Sequence, residues 1–137
     1  MRKLLVITAL LLFAGIAFGQ TIQKGNLIGV HVLTVELKAG ATMDQFVDFI
    51  DEKLKSAYEK AVPEVKVFMV KGKRGEQMNE IGMIMQFTDE AARNKYNNDD
   101  ESPTELGIKI QEELAPILTE LEKIGTWTSK YTDWIVQ

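Results

Sequence analysis

Apolar and polar residues do not alternate cleanly in the first strand-like run of this chain. From Leu27 to Leu37, one set of alternate positions holds Leu27, Gly29, His31, Leu33, Val35 and Leu37. The other holds Ile28, Val30, Val32, Thr34 and Glu36. Successive strand side chains point to opposite faces, so both faces of this strand are largely apolar. After the turn Lys38-Ala39-Gly40, the spacing changes to threes and fours: Met43, Phe46, Val47, Ile50, Leu54, Ala57, Tyr58 and Ala61. That stripe predicts a helix from Met43 to about Val62, opened by a Thr42/Gln45 capping box and stopped by Pro63.

Val65–Lys71 and Ile81–Phe87 read as a β-hairpin joined through a loop that begins Lys71-Gly72-Lys73-Arg74-Gly75. Thr88-Asp89 opens a short helix through Tyr96. After the polar run Asn97 to Glu101, Ser102-Pro103-Thr104-Glu105 reads as a helix start with Ser102 as its cap. The helix that follows aligns Leu106, Ile110, Leu114, Ile117, Leu118, Leu121 and Ile124, with Pro116 expected to kink or split it. Gly125 ends it, and Thr126 to Val136 is the last strand. Strand, helix, strand, strand, helix, strand is the ferredoxin-like βαββαβ order. It predicts an α+β fold with a four-stranded antiparallel sheet, both helices on one face, and the first and third strands in the centre.

Helices on one face leave the other uncovered. The third strand repeats the pattern of the first, with Ile81, Met83, Met85 and Phe87 on one side and Gly82, Ile84 and Gln86 on the other. A sheet with one wet face should alternate more clearly. Burial gains roughly 25 cal/mol per Å² of apolar area, so a few hundred Å² is worth several kcal/mol. A second copy of the chain is the economical cover, and two-fold pairing is the commonest oligomer. A homodimer closed sheet to sheet, as a dimeric α/β barrel, is therefore expected.

The N-terminus departs from this pattern. Arg2 and Lys3 precede an uncharged run from Leu4 to Phe18, and Ala17-Phe18-Gly19 sets small residues where a signal peptidase reads them. Residues 1–19 thus read as a secretory signal peptide, cut before Gln20. The run is too short to span a bilayer with ease, so no stable membrane anchor is expected after cleavage. The expected destination is periplasmic or extracellular. The chain has no cysteine, which excludes a lipoprotein thioether and any disulfide. Residues 20–137 then make one domain. Losing Arg2 and Lys3 from 16 basic residues leaves 14 against 20 acidic ones. That excess argues against nucleic acid as a partner.

His31 is the sole histidine and the side chain best suited to proton transfer at neutral pH. A packed histidine with one hydrogen-bonded nitrogen is the plainer reading. Tyr96, Tyr131, Trp127 and Trp134, with Met83 and Met85, are candidates to line a pocket for a flat organic ligand. At strand spacing such residues also serve as core or dimer contacts. Asp99-Asp100-Glu101 lacks the ligand spacing of a calcium loop. Lys71, Lys73 and Arg74 lie outside any phosphate-loop spacing. Ser56, Ser102 and Ser129 have no nucleophile-elbow context, and nothing in the sequence sets a serine beside His31. No residue set points to a cofactor, and one His without Cys cannot build a usual zinc site.

His31-Val32-Leu33-Thr34-Val35-Glu36-Leu37-Lys38-Ala39-Gly40 resembles the opening of the dimeric α/β-barrel proteins, closest to the stress-responsive A/B-barrel group. Phe87-Thr88-Asp89-Glu90-Ala91-Ala92 through Tyr96 is similar to that superfamily's stretch from a strand-ending Phe to a helix-ending Tyr. The resemblance spans Leu27 to about Tyr96 and implies the fold and the pairing. It also implies a range of activities: cofactor-free monooxygenases, polyketide cyclases, lactone isomerases, haem-degrading enzymes and members without known activity. Cyclase-like members carry a second His just after the short helix, and Asn97 to Thr104 has none. Haem-degrading members resemble an Asn, Trp and His set. Asn26 matches the Asn, but the third strand lacks the Trp and the helices lack the His. The expected function is a binding module for a small apolar or aromatic molecule, with Met83, Met85, Trp127 and Tyr131 at the ligand. The alternatives are a cofactor-free monooxygenase, cyclase or isomerase using His31 as base with Tyr96 positioning substrate, and an interaction protein without ligand.

Overall fold

The computed structural model describes residues 21–137; the segment read as a signal peptide lies outside them. The elements run β1 (Leu27–Leu37), α1 (Met43–Phe49), a π-helical segment (Ile50–Leu54), α2 (Lys55–Ala61), β2 (Val65–Lys71), β3 (Ile81–Phe87), α3 (Glu90–Asn94), α4 (Glu105–Glu122) and β4 (Gly125–Ile135). The strands form one antiparallel sheet in the order β2-β3-β1-β4. β3 and β1 are central, as the sequence predicts, and the α+β ferredoxin-like architecture is established.

The capping box forms as expected. Thr42 Oγ1 accepts from the Gln45 amide at 3.2 Å, and Gln45 Oε1 accepts from the Thr42 amide at 2.9 Å. The predicted helix Met43–Val62 is interrupted by the π segment. Phe46, Ile50, Leu54 and Tyr58 recur every fourth residue, which would drift around an ideal α-helix by roughly 40° per step. One wide π turn takes out that drift and keeps the four over the sheet. At the outer edge of the sheet, Glu59 Oε1 accepts from the Val67 amide at 2.9 Å. A helix carboxylate thereby satisfies an edge-strand N–H.

Two helix-boundary expectations are corrected. Thr104, not Ser102, caps α4: its Oγ1 accepts from the Gly107 amide at 3.1 Å. Pro103 pairs with Asn97 in a β-bridge and the Thr104 amide donates to the Tyr96 carbonyl at 3.0 Å, so the chain stays extended two residues longer. Pro116 does not split α4, which runs unbroken for 18 residues. Pro116 and Glu112 are both exposed, which puts the carbonyl that the proline leaves without a donor on the solvent side of the helix.

The odd-numbered face of the sheet meets the helices, and the core there falls into two parts. One gathers Leu27, Val62, Val65, Val67, Phe87, Ala92 and Tyr96. The other gathers Phe46, Ile50 and Leu121, with Trp127 edge-on to Phe46 at 5.9 Å between ring centroids. The opposite sheet face has no cover within the described chain. Val30, Phe68, Val70 and Trp134 stand 37%, 41%, 39% and 60% exposed. Ile28, Val32 and Ile84 lie on the same face and are half-buried.

Candidate functional site

The hollow between the two parts of the core is the first element of the site. It measures about 240 Å³ and is walled by Leu33, Met83 and Met85 from the sheet, Ile110 and Leu114 from α4, and Trp127 from β4. Tyr96 and Tyr58 also reach it. Its lining is almost wholly apolar. Gly107 makes the approach of α4 possible: a Cβ at that position would lie 2.1 Å from the Tyr96 carbonyl oxygen.

A second, polar compartment of about 290 Å³ adjoins it. Gly29, His31, Arg93, Glu101, Tyr131 and Asp133 line it, and Tyr58, Met85 and Asn97 belong to the walls of both. The register of β1 against β4 builds this compartment. His31 faces Tyr131, Gly29 faces Asp133 and Leu33 faces Ser129. The His31 and Tyr131 rings stack at 4.8 Å between centroids and 18° between planes. Ser129 Oγ lies 3.5 Å from His31 Nδ1. The expectation that no serine stands beside His31 is therefore corrected: a strand 98 residues away in sequence brings one there. Ser129 is exposed and lies in mid-strand, outside any strand-to-helix elbow.

Arg93 holds the compartment together. Its Nε lies 3.5 Å from Asp133 Oδ2, and its NH1 donates to the carbonyls of Asn97 and Asn98 at 3.3 and 3.0 Å. Glu101 has positive φ, 69°, in a loop closed by its amide donating to the Asn98 carbonyl at 3.0 Å. Burial pushes the Tyr131 hydroxyl above its usual range, and the Glu101 carboxylate beside it adds to the effect. Burial also lowers the His31 imidazole below its usual 6.5, against the opposing pull of Asp133. His31 is thus neutral at pH 7 and available as an acceptor.

Tyr96 and His31 are not brought together. Tyr96 lines the apolar hollow, and its hydroxyl donates to Glu64 Oε2 at 2.8 Å. Burial, with the Glu64 carboxylate second, pushes this phenol up to about 12. Lys95 holds the same carboxylate at 2.6 Å. Met83, Met85 and Trp127 stand in the apolar hollow, whereas Tyr131 stands in the polar compartment. Trp134 lies on the uncovered face, away from both. Asn26 fastens the sheet end: its Nδ2 donates to the Thr88 carbonyl at 2.9 Å and its Oδ1 accepts from Gln86 at 3.0 Å. The loop carrying Lys73 and Arg74 is exposed. Arg93 and Asp133 are the site residues that sequence reasoning missed.

Because the chain has one histidine, a proton NMR titration reports His31 without ambiguity. It should titrate below 6.5, and Asp133→Asn should lower it further by removing the opposing charge. A value at or above 6.5 in the wild type would contradict the buried placement. The sign for stability follows: the unfolded chain takes the proton first, so this contribution is complete above pH 6.5 and falls as pH drops toward the folded value.

No protein-family model matches the chain, and no curated protein matches it. Among solved structures, a NIPSNAP family protein from Agrobacterium tumefaciens is 8% identical, covers 80% of this chain and 91% of its own, and has a TM-score of 0.51. A second NIPSNAP family protein from that organism, of unknown function, is 13% identical over 84% and 93%, with a TM-score of 0.50. SnoaB from Streptomyces nogalater, a cofactor-independent oxygenase, is 15% identical over 82% and 94%, with a TM-score of 0.49. At these identities the likeness is one of fold. The chain has a ferredoxin-like fold.

Proposed function

We propose that this protein is an exported, dimeric binding module that holds a small apolar or aromatic molecule between its sheet and helices. One observation carries the reading: the core is divided by an apolar hollow of about 240 Å³ that opens beside a polar compartment. Protein interiors are close-packed, and a gap left among their side chains forfeits contacts. A hollow of this size is expensive as a packing defect and useful as a seat. Its lining, with methionines that adapt their shape and a tryptophan for flat contact, suits an apolar guest.

The test uses the neutral fluorescent probe N-phenyl-1-naphthylamine. The wild type should bind it, and Met85→Trp should weaken binding at least tenfold by filling the hollow while the thermal midpoint holds or rises. Unchanged binding in that variant would overturn the assignment of the hollow as the seat.

Pairing through the uncovered sheet face is supported by its apolar residues Ile28, Val30 and Val32 from β1, Ile84 from β3, and Phe68 and Val70 from β2. Export rests on the Arg2-Lys3 start, the uncharged run and Ala17-Phe18-Gly19. N-terminal sequencing of protein from a periplasmic or culture-medium fraction should begin at Gln20. Among the described residues no helix is long and apolar enough to cross a membrane.

A second reading has a specific observation behind it. His31 is neutral, lines a polar compartment and adjoins the apolar seat, which is the placement a general base needs. In this reading, a cofactor-free monooxygenase, cyclase or isomerase, His31 takes the proton. Tyr131, stacked on it, orients the substrate, since the Tyr96 hydroxyl is engaged by Glu64. A His31→Ala variant that leaves turnover of a found substrate unchanged would remove it.

A further inference from the structure

Gly29 lets two side chains of the polar compartment close over its Cα. A Cβ at this position would lie 2.9 Å from Asp133 Oδ1 and 3.3 Å from His31 Nε2. The place a side chain would take is thus held by a carboxylate oxygen and an imidazole nitrogen, which stand side by side in the wall of the compartment. Arg93 takes the other oxygen of Asp133, at 3.5 Å, and spends NH1 on two loop carbonyls. Ser129 faces Nδ1 of the imidazole. The compartment thus holds two carboxylates, Asp133 and Glu101, against one guanidinium already engaged. His31 adds no charge at neutral pH, because burial disfavours its protonated form. Such a site repels an anion and presents acceptors to a donor. Tyr58, Met85 and Asn97 wall both spaces, so one molecule can occupy both.

We infer that the Asp133 carboxylate and the His31 imidazole beside Gly29 seat an uncharged hydrogen-bond donor, a hydroxyl or an N–H, carried by the ligand whose apolar body fills the adjoining hollow, and that ligands bearing a carboxylate at that end are refused. The inference rests on the proposed binding of a small apolar molecule, and it adds the chemistry of the ligand's polar end. Gly29→Ala pushes the tips of these two side chains out of place and meets no backbone, so the variant should fold.

Three probes of one shape separate the claims: naphthalene, 2-naphthol and 2-naphthoate, measured at pH 7.5 on the wild type, Gly29→Ala and Asp133→Asn. The wild type should bind 2-naphthol about tenfold tighter than naphthalene, the scale of one hydrogen bond to a charged acceptor. It should bind 2-naphthoate more weakly than either. Both variants should bring 2-naphthol to the level of naphthalene while leaving naphthalene unchanged. 2-Naphthol, and not naphthalene, should shift the His31 ring signals in the wild type. If 2-naphthoate binds as tightly as 2-naphthol, or if Gly29→Ala keeps the preference for 2-naphthol, the inference is overturned while the apolar seat stands. If naphthalene itself does not bind, the apolar seat fails first and takes the inference with it.

Discussion

On the proposed sheet-to-sheet pairing, Val30→Lys combined with Phe68→Lys should convert dimer to monomer, weakening self-association more than a thousandfold in sedimentation equilibrium. Val30 on β1 and Phe68 on β2 both stand on the sheet face that the helices do not cover, 37% and 41% exposed in the single chain. Two-fold pairing through that face would bury each substituted position twice. Four unpaired ammonium groups would then enter an apolar interface, at several kcal/mol each in effective desolvation. In the monomer the same lysines stay in water, so the fold itself should survive with native circular dichroism. Leu106→Lys is the control. Leu106 is equally exposed, at 41%, but sits on α4, and its substitution should leave the dimer intact. A double variant that remains dimeric would place the interface elsewhere.

Gly107→Ala should destabilise the protein by about 3 kcal/mol in denaturant unfolding, the upper part of the range for overpacking. The sign is the informative part. Glycine inside a helix is normally about 1 kcal/mol worse than alanine, so this substitution usually stabilises. Here the new methyl would lie 2.1 Å from the carbonyl oxygen of Tyr96 and 3.2 Å from Pro103 Cβ. The first contact is with backbone that also accepts the Thr104 amide, so it cannot yield cheaply. α4 would have to lift off the end of α3, opening the wall of the apolar hollow. A stabilised Gly107→Ala variant would mean that α4 does not sit as closely as described.

Much of this architecture was readable in the pattern of residues. Element order followed from the change between period two and spacings of three and four, and from Thr42, Pro63, Gly40 and Gly125 as punctuation. The doubly apolar character of β1 and β3 is likewise visible in the residues themselves. Parity in β4 sorts its aromatic residues between the two faces. Trp127 and Tyr131 are odd-numbered and face the helices, whereas Trp134 is even-numbered and faces away.

The polar compartment was illegible for a physical reason. Ser129 and Asp133 reach the neighbourhood of His31 through the pairing of the first strand with the last, and register between strands so distant has no local signature. Nothing in the sequence sets Arg93 apart from a surface residue of a short helix, and its role depends on where the loop after it returns. The cap of α4 shows the same limit. Ser102-Pro103-Thr104-Glu105 offers a good start at Ser102, and the bridge between Asn97 and Pro103 overrides it.

Native mass spectrometry of the protein purified from its natural source tests the central claim most directly, because one spectrum reports both stoichiometry and retained small molecules. The account predicts a dimer of the chain beginning at Gln20, carrying up to one small apolar or aromatic molecule per protomer that is lost on activation. A monomer across all concentrations, with no adduct and with probe binding unaffected by Met85→Trp, would contradict it.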